Sequence, residues 1–178
     1  MSNRVELFDL QPVLHGTDVS LRPLHADDFE ALYAVASDPK IWIQHPANDR
    51  YEYRVFRAFF DEAIASGGAL IATDVATQAV IGSSRYHGYD AERSEIEIGW
   101  TFLARSYWGG RYNGEMKQLM LRHAFRYVEH VLFMIGTTNI RSQRAIEKIG
   151  GVRIGLRADP GGSDSYVYRI SAPRDGDG

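Results

Sequence analysis

Gly99-Trp100-Thr101-Phe102-Leu103-Ala104-Arg105-Ser106-Tyr107-Trp108-Gly109-Gly110-Arg111-Tyr112-Asn113-Gly114-Glu115 is the stretch where the residue pattern passes from strand to helix. The residues leading into it, from Ser94, read as a long strand ending near Leu103. An arginine- and glycine-rich connection follows, and a helix starts at about Arg111 to Gly114. Strand, Gly-rich turn and helix N-terminus in succession present free backbone N–H groups and the positive end of a helix dipole. Such a device favours a phosphate or pyrophosphate. Arg105 and Arg111 are placed to add charge-assisted bonds. The same pattern also serves plain packing of a helix on a strand, and both readings stand at this point. It is no Walker A loop, because the Gly-Lys-Ser/Thr ending is missing. It is no Rossmann turn, because several antiparallel strands precede it.

Upstream, Val19-Ser20-Leu21-Arg22-Pro23-Leu24 alternates apolar and polar residues and reads as a strand. The turn His15 to Asp18 joins it to a short strand at Pro12 to Leu14. Phe29, Leu32, Tyr33 and Ala36 recur at helical spacing, and Asp38-Pro39 stops that helix. A loop from Trp42 to Asp49 leads to a second helix marked by Phe56, Phe59, Phe60, Ala63 and Ile64, ended by Gly67-Gly68. Ala69 to Val75 and Ala79 to Tyr86 are strands around a hairpin-length connection. Downstream, Tyr112, Met116, Leu119, Met120, His123, Ala124 and Tyr127 trace a helical face. Val131 to Ile135 is a short buried strand, Asn139 to Ile149 a helix, and Val152 to Leu156 and Ser165 to Ser171 are closing strands. The order predicts an α/β (α+β) chain with one mixed, mostly antiparallel sheet of six to seven strands flanked by about four helices. The sheet is antiparallel first and parallel across the helical crossover. Residues 1–171 are expected to form one domain, and the polar, Gly-rich residues 172–178 a flexible tail.

The chain has 178 residues, of which 44% are hydrophobic and 24% charged, enough to bury a core without staples. There is no cysteine, which excludes disulfides, cysteine metal sites and a thiol nucleophile. A formal net charge of −3 argues against a nucleic-acid partner. Lysine occurs only at Lys40, Lys117 and Lys148. No segment approaches the roughly 20 apolar residues of a membrane span. Without a targeting signal the expected location is the cytoplasm. His15, His25, His123 and His130 show no carboxylates at ligand spacing, so no metal is expected.

Several short motifs follow one another along the chain. They are Leu21-Arg22-Pro23-Leu24 with Asp28, Val80-Ile81-Gly82-Ser83, Glu97-Ile98-Gly99-Trp100, Tyr107-Trp108-Gly109 and Glu115-Met116-Lys117. Asn139-Ile140-Arg141-Ser142, leading to Glu147-Lys148-Ile149-Gly150, completes the series. In this order and spacing, from about Gly16 to Ile170, the chain resembles the GNAT family of N-acetyltransferases, specifically its ribosomal-protein-alanine acetyltransferase branch. The resemblance implies a GNAT fold whose sheet splays between the fourth and fifth strands, the one ending at Leu103 and the one ending at Ile135. It implies acetyl-CoA as acyl donor, no metal, and direct transfer of acetyl to a primary amine, either a protein N-terminus or a small molecule. Dimers are common in the family, so a homodimer is among the implied assemblies.

The resemblance also distributes roles. The pyrophosphate falls to Trp108, Gly109, Gly110, Arg111, Tyr112, Asn113 and Gly114. The pantetheine arm falls to backbone groups of Trp100, Thr101, Phe102 and Leu103, and to Asn139, with Arg144 reaching the phosphates. Asn139 is equally placed to cap its helix, a role asparagine fills well. The family's loop usually reads Arg/Gln-x-x-Gly-x-Gly/Ala. Aligned on Trp108-Gly109, its middle glycine falls on Arg111 and its last small residue on Asn113. This departure keeps open a second reading, a non-catalytic CoA- or acyl-CoA-binding protein with a degenerate phosphate loop.

In Glu95-Ile96-Glu97-Ile98 the glutamates share one face of a strand and the isoleucines the other. Acetyl transfer requires a neutral amine, so a base must take its proton. Glu97 matches the family's Glu-Ile-Gly motif and is the first choice of base, ahead of His87 and Glu95. A structural salt bridge is its alternative role. The helix Asn139 to Gly150 has no tyrosine to protonate a leaving thiolate, which leaves Ser142 as its hydroxyl. Trp42 and His45 fall in the loop that walls the acceptor site in the family. Tyr86 and His87 are assigned to the same acceptor side, although aromatics are more often core.

Overall fold

The computed structural model describes residues 7–158 and 163–174. The chain runs β1 (Leu14–His15), β2 (Val19–Pro23), α1 (Phe29–Ala36), α2 (Tyr53–Ser66), β3 (Ala69–Asp74), β4 (Val80–Asp90) and β5 (Glu95–Leu103). It continues with α3 (Arg111–Ala124), β6 (His130–Gly136), α4 (Ile140–Lys148), β7 (Val152–Arg157) and β8 (Ser165–Ser171). The strands form one sheet in the order β1-β2-β3-β4-β5-β6-β8-β7. Every pairing is antiparallel except β5 with β6. The sheet therefore has eight strands rather than six to seven. The additional one is the two-residue β1, at the end of the short strand expected over Pro12 to Leu14, whose Leu14 and His15 pair with Leu21 and Ser20. Four α-helices are present among the described residues, as expected. Arg174 is the last described residue, so most of the anticipated C-terminal tail lies outside the described residues.

Two apolar layers hold the sheet. On one face Val19, Leu21, Ile81, Ile96, Ile98 and Phe133 pack with Met116, Met120 and Ala124 of α3 and Ile146 of α4. On the other, Ile71 and Phe102 pack with Phe29 and Leu32 of α1 and Phe56, Phe59 and Phe60 of α2. Strand β5 serves both layers through a bulge. Ser83 pairs with Phe102 and Arg85 with Gly99, so Trp100 and Thr101 together oppose Ser84. The extra residue reverses the alternation. Ile96 and Ile98 face α3, but beyond the bulge Leu103 does so and Phe102 turns to α2. Trp100 bears the local cost, with φ at +53°, a region that bulky residues seldom occupy.

The N-terminal landmarks have structural roles. Arg22 donates two bonds to Asp28, at 2.9 and 2.7 Å, and Asp28 also accepts the His25 N–H at 2.7 Å. This ties β2 to the entry of α1. Glu115 accepts the backbone N–H groups of Thr17, Asp18 and Val19 at 2.7, 2.8 and 2.7 Å. That carboxylate fastens the β1–β2 turn onto α3. Partial burial opposes its ionisation, but the three N–H donors hold the carboxyl below its ordinary range.

Candidate active site

Strands β5 and β6 are hydrogen-bonded only where Glu95, Ile96 and Glu97 meet His130, Val131 and Leu132. Past that point β5 stays with β4, and β6 stays with β8 as far as Gly136. The two strands diverge and leave a cleft whose β5 edge has no strand partner. One cavity of about 120 Å³ sits at the vertex, lined by Ile98 to Thr101, Phe133 to Gly136, His45, Asn113, Lys117, Asn139 and Ser142. A second, of about 370 Å³, shares Thr101, Asn113, Lys117 and Ser142 with it and runs out past Trp108, Gly109 and Gly110 to Arg141, Arg144 and Lys148. Together they form a channel from the centre of the sheet to the start of α3.

The outer end is built for an anion. Gly109 has φ at +68°, which glycine adopts freely. Gly110 precedes α3 and supplies no side-chain cap, so the helix's first N–H groups stay available. A Cβ at Gly109 or Gly114 would meet nothing within 4 Å, and one at Gly110 only the Trp108 carbonyl at 4.0 Å. The turn thus keeps an open cradle. Trp108 anchors it, donating from Nε1 to the Leu103 carbonyl at 2.9 Å, and its ring carries the Arg141 guanidinium at 3.6 Å. Arg111 occupies the helix start, but its side chain pairs with Asp18 at 2.8 Å. A side chain at this position therefore leaves the cradle clear. Tyr112 packs on Tyr107, with ring centroids 4.6 Å apart, and its side chain does not line the channel.

At the inner end Asn139 precedes α4 and accepts the Ser142 N–H at 3.3 Å. The capping role weighed for it is realised while it also lines the cavity. Gln143 braces the same corner, donating to the carbonyls of Gly136 and Thr137 at 3.1 and 3.0 Å. His45 enters from the α1–α2 loop. Its Nδ1 accepts the Ala47 N–H at 2.9 Å, which leaves the ring proton on Nε2. Burial, and then the charges of Arg50 and Arg141, push its pKa down to about 4. His45 is therefore a neutral N–H donor at neutral pH.

Sequence reasoning did not single out Lys117 for a role. It is 5% exposed, donates to Thr101 Oγ1 at 2.7 Å, and sits 5.3 Å from the Phe133 ring centroid. Thr101 in turn bonds Ser84 at 2.8 Å. Burial pushes the lysine pKa down to about 7. A signal was present: Lys117 lies four residues after Asn113, on the same face of α3.

Glu97 and His87 pair across β4 and β5 on the face toward α2, outside the channel. The Glu97 carboxylate lies beneath Gly99, where a Cβ would approach its Oε1 to 3.3 Å. Burial pushes its pKa up, against the charges of His87, Arg157 and Arg85. His87 stands edge-on to Trp100 at 5.2 Å. Trp42 is fully buried, donates to the Ala36 carbonyl at 2.8 Å, and backs His45 rather than lining the cavity. Tyr86 is not brought to the site. It is 1% exposed, and its hydroxyl donates to the Met120 carbonyl at 2.6 Å on the α3 side of the sheet.

Comparison with known proteins agrees with this architecture. A family model described as the acetyltransferase (GNAT) domain matches residues 18–152. A candidate acetyltransferase of T. thermophilus superposes with a TM-score of 0.71 at 29% identity, over 89% of this chain and 88% of that one. Mycobacterium smegmatis RimJ, solved in complex with CoA-disulfide, gives 0.67 at 17% identity, over 91% and 85%. The Microcin C7 self-immunity acetyltransferase MccE, solved with acetyl-CoA and AMP, gives 0.74 at 13% identity, over 92% and 99%. No match was found among curated proteins. With the domain model covering most of its length, the splayed sheet and the open helix start after β5 belong to a chain of the GNAT acetyltransferase family.

Proposed function

We propose that the protein transfers acetyl from acetyl-CoA directly to an amine, with both substrates bound at once. The observation that carries this reading is the unpaired β5 edge, which opens at the Trp100 bulge and ends at the uncapped start of α3. An extended amide-bearing arm fits such a gap as an added strand would. The glycine cradle, with Arg141, Arg144 and Lys148 opposite, suits the phosphates. When bound, acetyl-CoA supplies the activated acyl group; everything else falls to the protein.

In this reading Glu97 takes the proton of the incoming ammonium, directly or through water. A carboxyl raised by burial is better matched to that task than an ordinary glutamate. Backbone N–H groups at the Trp100–Thr101 bulge face the developing oxyanion, and the Nε2–H of His45 adds a neutral donor. The Ser142 hydroxyl donates a proton to the leaving sulfur and takes one back from water. The chain has no cysteine, so no acyl-cysteine forms.

The test is a titration with acetyl-CoA followed by an amine screen that reads CoA release. Acetyl-CoA at a hundredfold excess over Kd stabilises by about 2.7 kcal/mol. No melting shift at millimolar acetyl-CoA overturns the reading. A shift without turnover on any amine supports instead the non-catalytic CoA-binding alternative.

A further inference from the structure

Arg85 lies in the middle of β4 and is 5% exposed, and among the described residues its Nε and Nη2 meet no hydrogen-bond partner, although both are buried. These two atoms form one edge of the guanidinium, the side-on fork that matches a carboxylate or phosphate bidentately. Aromatic rings cover the faces of the group: its carbon stands 4.4 Å from the Trp100 ring centroid and 5.6 Å from that of Phe59. Cation–π contact satisfies the faces and leaves the in-plane N–H groups unmet. A second arginine shares the same ring. Arg50 stands 4.3 Å over Phe59 and 5.4 Å from Trp42. Burial, and then the charge of Arg85, push its pKa down to about 10. Among the described residues neither arginine forms a salt bridge. Glu62 and Glu97 act on Arg85 only at longer range, as Asp49 and Glu62 do on Arg50.

A buried, unpaired fork beside a second cation of like sign is destabilising unless something answers it. The arrangement is economical if the answering group comes with the substrate. Arg85 pairs with Gly99 and His87 with Glu97, so the fork and the candidate base stand diagonally across one strand pair on the same face. Diagonal neighbours of this kind are about 7–8 Å apart at Cα. Trp100, which lines the channel, separates the fork from the cavity by one ring.

We propose that the acceptor is a small amine carrying its own anionic group a few bonds from the nitrogen, with that anion held by the fork of Arg85 and the charge of Arg50. α-Amino acids and aminophosphonates share this chemistry. The inference rests on the acetyl-transfer reading for the amine end and deepens it by naming the substrate class.

Matched pairs test it. Each α-amino acid is assayed beside its amide and its decarboxylated amine, and an aminophosphonate beside its diester. Wild type should favour the anionic member of each pair by tenfold or more in kcat/KM, and the arm with the larger ratio tells carboxylate from phosphonate. Arg85→Met should erase that ratio through KM, with the acetyl-CoA Kd within about twofold. Arg85→Lys keeps the charge but loses the fork, and should recover only part of the preference. An independent readout needs no turnover: an N-acetyl amino acid alone should raise the melting temperature of wild type saturably, and that of Arg85→Met not at all. If wild type treats charged and uncharged partners alike, or if Arg85→Met loses both equally while still binding acetyl-CoA, the inference is overturned. Loss of acetyl-CoA binding or turnover in wild type would instead count against the parent reading. In that case the N-acetyl amino acid shift still decides the anion site.

Discussion

Replacing Lys117 by methionine should make the protein more stable, and more so at pH 7 than at pH 9. An unperturbed lysine titrates near 10.5, and burial brings this one to about 7. Its only partner among the described residues is the Thr101 hydroxyl, a neutral acceptor that compensates little of the ammonium's lost hydration. Between pH 7 and 9 the unfolded chain still holds a proton that the folded chain has largely released. Stability therefore rises with pH in that window, by about 2 kcal/mol over the two units, and flattens below pH 7, where both states are protonated. Methionine keeps nearly the same length, fills the space beside Phe133 and carries no charge. Urea unfolding of wild type and Lys117→Met at pH 6, 7, 8 and 9 isolates the lysine, because every other titration cancels in the difference. The variant's advantage should shrink by about 2 kcal/mol from pH 7 to pH 9. In a chain of this size that corresponds to roughly 4–8 °C in Tm. A difference that stays constant across the series would refute the reasoning. It would mean that the amine reaches water and keeps an ordinary pKa.

Other perturbations are simpler to state. Glu97→Gln should lower kcat by about 10²–10⁴ with acetyl-CoA affinity unchanged, and Ser142→Ala by only about tenfold, since a thiolate leaves readily; steady-state kinetics with calorimetric titration of the cofactor checks the order. Glu115→Ala strands three backbone N–H groups and should cost about 2–4 kcal/mol by chemical denaturation. Because that carboxyl is held low in the fold, its contribution is present above the unfolded pKa and disappears as pH falls through the folded one, so wild type and variant should converge in acid. Gly109→Asp places a negative charge in the cradle at a positive φ that aspartate tolerates; CoA affinity should drop at least tenfold with little change in Tm.

The element order was legible because periodicity reports which face of each element is buried, whereas the splay was implied by the family resemblance alone. Long strands and amphipathic helices carry that signal; the two-residue β1 was legible only through the turn that joins it to β2. Two departures have one cause, which is that a strand has two sides. Tyr86 and His87 are consecutive in β4, so they point to opposite faces, and only His87 reaches the side of Glu97. Their joint assignment to the acceptor wall was excluded by the strand itself. The bulge is the other case. A one-residue insertion in β5 leaves no mark in composition, yet it sends Phe102 and Leu103 to the faces that strict alternation denies them. Lys117 and Arg85 were hidden for a different reason. A charged residue in an apolar pattern reads as surface until its neighbours are known, and these neighbours come from distant segments.

The bulge also accounts for the division of the site. If β5 kept its alternation, Thr101 would share a face with Glu97 and Gly99, and its hydroxyl would lie on the α2 side, away from Lys117 and Ser84. Trp100, set at positive φ between them, belongs to both halves: its ring covers Arg85 and meets His87 on one side, and it lines the channel on the other. In the proposed reading, one strand thus offers its edge and its α3-side polar chain to the donor and its opposite face, with Glu97, to the acceptor. The strain at Trp100 is located where those two halves must meet, which is the one place in β5 where a regular backbone would keep them apart.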